Sequence, residues 1–559
     1  MKRELTSLSS ETFDVLIVGA GIYGATAAWD AATRGLSVAV IDQGDFGGAT
    51  SANSLKTVHG GLRYLQQLDV KRMRESIRER RLLLQMAPHL VHPLSVVMPT
   101  YGHLMKGPEI MRIGLLMNDI ISYDRNHLDD PQKYIPMGRI VTREDVLSWI
   151  PGVKPDGING GAFWTDAQMY NSERLVLSFI QSAVSAGARA ANYIRAENFL
   201  KANHRIQGVQ VKDLMTGKQL EIRSKVVVNM AGGWTDKLLS TLGGVSSRIQ
   251  LSTAMNVIVN RPMLTECAAG VRGRFQYPLP EGRTYTGHRI LFMSPWRDRT
   301  IIGTLHRPYD GSPDDLHVTE QEIGMFLKEI NSACPGNPVR REDVGMAHKG
   351  FLPMDSIQDK TGDVILTKHY KIFDHAKEDR LEGMISVAGV KYTTARDVSE
   401  KVIDRVFLKL GRKVSANRTQ HLRVAGGDID RFDALVSGVR KNPPHHLSEP
   451  VLSRLVRNYG SQYNRLFQAD FPADAHTLLP GSSDVLKSEI LYAVQEEMAM
   501  HLTDVLLRRT DLGSAGYPGK KAVDAAAETM AKAMGWNAGE KQEEVEMLQA
   551  TYRRMGALL

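Results

Sequence analysis

The sequence predicts an α/β fold joined to a helical one: a doubly wound parallel-sheet domain with large insertions, then a helical C-terminal domain. Three observations predict it. Residues 13–45 read as strand, glycine turn, helix, strand and terminal acid. Two later β-rich runs, 225–230 and 383–388, end in glycine-rich turns, as strands returning to one sheet do. Beyond about residue 420 such runs give way to helical spacing, notably in 488–508 and 522–534.

The first unit carries its own chemistry. Residues 15–18 are a short apolar run suited to a buried strand, and 25–33 are rich in helix-forming alanine. Between them lies Gly19-Ala20-Gly21-Ile22-Tyr23-Gly24. Gly19 allows the tight turn, Gly21 lets backbone approach a pyrophosphate, and Gly24 lets helix pack on strand. The helix N-terminus then offers free N–H groups and a positive dipole end to phosphates. Asp42, closing the second strand run 36–41, is placed to accept a hydrogen bond from a ribose hydroxyl. The unit reads as a dinucleotide site and leaves FAD and NAD both open.

At 559 residues the chain exceeds one core, so two or three domains are expected. Residues 1–80, with 155–245 and 355–415 returning to it, form the dinucleotide-binding domain. Residues 81–154 and 246–354 form an inserted domain, and 420–559 the helical one. Within the insertion, 289–293 and 300–303 read as a hairpin joined through Pro295-Trp296-Arg297-Asp298.

Composition narrows the classes. Two cysteines, Cys267 and Cys334, give neither a disulfide framework nor a thiol metal cluster, and no zinc-ligand spacing is present. The polar N-terminus lacks an apolar signal core, and no run approaches 18 apolar residues. The expectation is a cytoplasmic protein. A net charge of +8 suits acidic substrates or an anionic membrane surface. Without an arginine–aromatic module, nucleic acid is not an expected partner.

Further motifs carry a resemblance. They are Asp30 and Arg34-Gly35, Ala49-Thr50-Ser51 with Lys56, His59-Gly60-Gly61-Leu62-Arg63-Tyr64-Leu65, Ile301-Ile302-Gly303-Thr304, and Gly389-Val390-Lys391-Tyr392-Thr393-Thr394-Ala395-Arg396. With Glu496-Glu497-Met498 and Arg508-Arg509-Thr510, the chain resembles the FAD-dependent glycerol-3-phosphate dehydrogenase family over nearly its whole length. The resemblance implies a doubly wound, Rossmann-like FAD domain, an antiparallel-sheet substrate domain and a helical cap. It implies oxidation of sn-glycerol 3-phosphate to dihydroxyacetone phosphate, with electrons passing to a membrane quinone, or to oxygen in oxidase members. A peripheral position on the cytoplasmic membrane and a homodimer follow by the same analogy. FAD is expected at Gly19, Gly21, Gly24, Asp42, Thr50, Ser51, Ser54, His59, Gly61, Ala231, Gly232, Gly389, Lys391 and Thr393.

The departures fall at the substrate end. Where the family often has G-x-R-P, this chain reads Gly350-Phe351-Leu352-Pro353, with Leu352 in place of the arginine. Val390 and Ala395 replace a glycine and a tyrosine of the later motif, and Ala20 and Thr26 stand where glycine is common. Lys349 or Lys368 is expected to compensate for Leu352. A different alcohol, hydroxy acid or amine is the alternative substrate.

Hydride transfer from a secondary alcohol needs a base for the hydroxyl proton and cations for an anionic tail. His59 is the expected base, since imidazole titrates at ~6.5. Arg63 is the expected phosphate ligand, through a two-pronged guanidinium grip. Tyr64, Lys391 and Arg396 are expected to line the substrate site, Lys391 also stabilising negative charge. Asp166 reads as a turn residue, and His306 and His348 as bystanders. The basic run 71–81 reads as a solvated helix face paired internally with Glu75 and Glu79. Residues 107–121, apolar and methionine-rich, fit either a bilayer surface or a core helix. Residues 541–546 read as a solvated helix.

Overall fold

The computed structural model describes residues 1–103, 107–243, 245, 249–278, 284–358 and 363–559. Two sheets organise it. The first has Gln219–Asn229, Thr12–Val18 and Val38–Ile41 side by side and parallel, extended by Met384–Ala388 on one flank and Arg189–Ala191 on the other. The central segments Val15–Val18, Val38–Ile41 and Val226–Val228 are apolar and buried, as a sheet covered on both faces requires. Helices Ile22–Thr33, Ser172–Ser185 and Ala395–Lys409 pack on one face. The other face is covered by Leu8 of the helix Leu5–Ser10 and by the strands Ile194–Ala202 and Arg205–Asp213.

The second sheet is mostly antiparallel. The strand Gln250–Val259 pairs with Arg299–Tyr309 and Val344–Ile357, while Val91–Tyr101 pairs with Ile158–Met169. One face packs on the helices Arg143–Trp149 and Glu320–Ala333. Ile258, Trp296, Ile301 and Met346 instead meet the C-terminal helices Lys487–Glu496, Lys520–Met534 and Ala538–Arg554. The expected hairpin is present, with Trp296 opposite Arg299 and Arg297 in the left-handed region at φ 58°.

Four expectations change. Residues 158–169, and 355–357 at the end of the strand Val344–Ile357, belong to the second sheet, because both strands have antiparallel partners there. The first sheet is therefore rejoined only at Arg189 and Lys371. The single helix expected over 488–508 is broken after Glu496. There Glu497 turns inward onto Arg174, and Met498 adopts φ 53° while its carbonyl accepts from Asn192. The basic helix Val70–Met86 is not a solvated face. Glu79 and Arg80 are buried, and each pairs with a residue from a distant element. Glu544, inside the mixed-charge run 541–546, is also buried and accepts from His501 and the Leu502 amide.

Candidate active site

A cavity of about 1120 Å³ opens between the two sheets and the C-terminal helices. It exceeds the roughly 300–1,000 Å³ of ordinary small-ligand pockets and suits an extended ligand. Gly19, Gly21, Asp42, Thr50, Ser51, Ser54, Ala231, Gly232, Gly389 and Lys391 line it. Gly19 has φ 101°, and a Cβ there would meet the Met230 carbonyl oxygen at 2.5 Å. A Cβ on Gly24 would strike the Gly19 carbonyl, so Gly24 serves helix packing and lies outside the lining. Asp42 accepts from the amides of Ala20 (2.6 Å) and Gly44 (2.9 Å), and burial pushes its pKa up to about 6. It braces the glycine turn as well as facing the cavity.

Tyr23 ties this turn to the later motif. Its hydroxyl accepts from the amides of Val390 and Lys391, both at 3.1 Å, and donates to the Lys391 carbonyl at 2.8 Å. A Cβ on Gly389 would overlap the Tyr23 ring, so only glycine admits this contact. Burial pushes the Tyr23 pKa to about 12, keeping the hydroxyl protonated. Nothing in the sequence marks Tyr23 beyond its place inside the first glycine motif. Thr393 is buried and does not line the cavity.

The His59 segment is set by strand pairing. Val58 lies opposite Ala167, which brings the preceding Asp166 beside His59. Asp166 is buried on a strand, so the turn reading of it is wrong. Its Oδ1 accepts from the Gly60 amide (2.6 Å) and Arg80 Nη1 (2.7 Å). Its Oδ2 faces His59 Nδ1 and Trp164 Nε1, each at 3.3 Å. Burial opposes its charge, yet the His59 hydrogen bond and the Arg80 guanidinium hold it well below the usual carboxylate range. A carboxylate only accepts, so Nδ1 of His59 carries the proton and Nε2 is left free. The glycines are steric requirements: a Cβ on Gly60 would collide with the Arg80 guanidinium, and Gly61 has φ 91° beneath the Tyr64 ring. Neither His59 nor Gly61 lines the main cavity.

The cations divide. Arg63 is exposed and, among the described residues, has no acidic partner; desolvation, then Arg289 and Arg63, lower the half-buried His306 to about 4. Lys391 Nζ sits 4.0 Å from the Tyr64 ring centroid, and burial, then the Arg72 charge, lowers its pKa to about 7. Arg396 is elsewhere: its guanidinium grips Glu79 at 2.8 and 2.6 Å and is buried. Its expected substrate role is overturned, because a fully engaged fork has no donor pair left for a phosphate. Lys349 is likewise committed, to Glu322 Oε1 (2.6 Å) and the His317 carbonyl (2.8 Å). Lys368 lies outside the cavity lining, whereas Leu352 is part of it.

Buried groups behind the cavity complete the site. Lys56 donates to Glu173 Oε1 (2.6 Å), Ser172 Oγ (2.9 Å) and the Ala52 carbonyl (2.7 Å). His348, expected as a loop bystander, is a buried strand residue in the lining, and burial lowers it to about 4.

Comparison with known proteins agrees with this geometry. The family model of FAD dependent oxidoreductases matches residues 14–389. The model for the C-terminal domain of alpha-glycerophosphate oxidase matches residues 417–541. A glycerol-3-phosphate dehydrogenase of Mycobacterium leprae is 30% identical over 553 residues, covering 97% of this chain and 88% of that one. The chain belongs to the FAD-dependent glycerol-3-phosphate dehydrogenase family. A Synechocystis member is 28% identical over 552 residues, 97% of each chain. The fold matches the glycerol-3-phosphate dehydrogenase from Bacillus halodurans complexed with FAD, at TM-score 0.73 and 23% identity, covering 98% and 96% of the two chains.

This family member is therefore an FAD-dependent oxidoreductase, and its residues fit the cofactor. The amides opening the helix Ile22–Thr33 lack intrahelical partners, and Gly21 leaves their approach clear. Ser51 Oγ accepts from the Ile22 amide at 3.0 Å and joins that cradle. Arg508, from the C-terminal domain, reaches over Gly48 into the same wall.

Proposed function

We propose that this chain oxidises sn-glycerol 3-phosphate, or a close polyol phosphate, to dihydroxyacetone phosphate and passes the electrons to a membrane quinone. Bound FAD supplies the hydride acceptor. The observation that carries this reading is a histidine whose Nδ1 is held by a buried carboxylate, four residues before Arg63, a cation with no acidic partner among the described residues. His59, held through Nδ1 by Asp166, takes the hydroxyl proton at Nε2. The His59 ring packs edge-on against Phe292, 5.6 Å between centroids, which limits its rotation. Arg63 and Lys391 hold the anionic tail, and their positive charge suits a phosphate ester better than a neutral alcohol.

The quinone half of the reading draws on the helix Pro108–Ile121. Ile113, Leu116 and Ile120 are 55%, 55% and 65% exposed along one face, with Tyr123 exposed beyond them. Only Leu115 and Asp119 of this helix are buried, so it is not a core helix. A face of this kind suits the interfacial layer of a bilayer. No helix among the described residues is long and apolar enough to cross a membrane.

Anaerobic titration of the flavin-loaded protein with sn-glycerol 3-phosphate tests the reaction. Prompt bleaching of the flavin spectrum is expected. A flavin that dithionite reduces and glycerol 3-phosphate does not would favour a different alcohol, hydroxy acid or amine, the reading that Leu352 supports.

A further inference from the structure

The helix Val70–Met86 carries five arginines, and four have acidic partners. Arg74 and Arg81 meet Asp124, Arg78 meets Asp397, and Arg80 meets Asp166. Arg72 differs. Among the described residues no acid pairs with its guanidinium, whose carbon lies 4.3 Å from the centroid of the Tyr64 ring. The same ring holds Lys391 Nζ at 4.0 Å.

Two like charges against one small aromatic surface repel each other, and the nearby acids do little to relieve them. Asp69 caps the helix by accepting from the Arg72 amide at 3.1 Å. Glu75 faces Lys401 at 3.3 Å. Arg63 stands next to Tyr64 in the chain and is equally unpaired. Such a group of cations gains most from a multivalent anion between them. A guanidinium already stacked on a ring is oriented to present its fork to phosphate oxygens. Lys391 also lines the cavity that contains Leu352, the position where an arginine was expected.

We propose that Arg72, with Arg63 and Lys391 around the Tyr64 ring, forms the seat for the substrate's phosphate and supplies the cation that Leu352 does not. The ligand class rests on the polyol-phosphate reading above. The proposed contact lies on the helix Val70–Met86, whereas Leu352 lies on the strand Val344–Ile357. Burial, then the Arg72 charge, lowers the Lys391 pKa, and a bound dianion would raise it.

The test titrates the flavin-loaded protein with inorganic phosphate, read by the flavin difference spectrum. Native protein is expected to bind phosphate saturably. Arg72→Gln is expected to weaken it by about tenfold, near 1.4 kcal/mol. Arg72→Lys, which keeps a point charge and the fold's surface, is expected to lose about threefold. An Arg72→Gln variant that binds phosphate as the native chain does would overturn the proposal, as would a native chain with no saturable response. Loss of phosphate binding in Arg72→Gln, with native flavin unbleached by glycerol 3-phosphate, would keep the seat and reject the alcohol.

Discussion

Two populations of cations occupy this molecule, and their contrast separates architecture from chemistry. At the joint between the FAD domain and the C-terminal domain, Arg509 grips Asp45 with two hydrogen bonds of 2.7 Å and Arg508 adds a third of 2.6 Å. Arg174 grips Glu497 at 3.0 and 2.7 Å. These pairs are buried and closed. Around Tyr64, by contrast, Arg63, Arg72 and Lys391 have no acidic partner among the described residues. The closed pairs hold elements together, and the cations around Tyr64 are the ones free to meet an anionic ligand.

The largest expected effect breaks the closed set. Arg509→Met leaves Asp45 buried with one partner fewer and is expected to cost about 3–5 kcal/mol, read by denaturant unfolding of the flavin-loaded protein. Next, Arg63→Gln should lower kcat/KM for glycerol 3-phosphate by about 100-fold, near 2.7 kcal/mol, with flavin content unchanged. Unaltered kinetics would place Arg63 with the inert surface cations. Asp166→Asn frees the His59 ring while keeping its shape. It should reduce kcat by about tenfold, more than it changes KM, and alter the pH–rate profile. A change confined to stability would reduce Asp166 to a partner of Arg80.

The pH dependence gives a smaller, graded effect. Burial, then Arg174 and Lys133, hold His89 down at about 3, below the ordinary ~6.5 of an unfolded histidine. Between these values the unfolded chain binds a proton that the folded chain refuses, so stability falls as pH drops through that window. His89→Leu should blunt the fall in thermal midpoint between about pH 6.5 and 4. The smallest effect is Lys368→Ala. This exposed lysine lies outside the cavity lining, and kcat/KM should change less than about twofold.

What the sequence revealed follows the range of each interaction. The glycine turn at Gly19–Gly24 was legible because its constraints are local: a positive φ, a close backbone approach and a helix start. Of the residues expected around it, Asp42, Thr50, Ser51, Ser54, Ala231, Gly232 and Gly389 line one cavity, while His59 and Gly61 do not. Arg396 was misread because its partner, Glu79, lies 317 positions away, and nothing near Arg396 announces it. Asp166 was missed for the same reason, its role depending on the pairing of Val58 with Ala167. The arginines of 71–81 look alike as a string, and only helical phase and the surrounding elements send Arg80 inward and Arg72 to Tyr64.

The cavity wall also has an order in time. It begins with Val18 and includes Thr503, Leu507 and Arg508, then Thr551, Arg554 and Met555. A ribosome making this chain presents the glycine turn early and the C-terminal part of the wall, from Thr503, only after 479 residues have followed Gly24. A chain stopped before Thr503 would lack this part of the wall and both arginines that pair with Asp45.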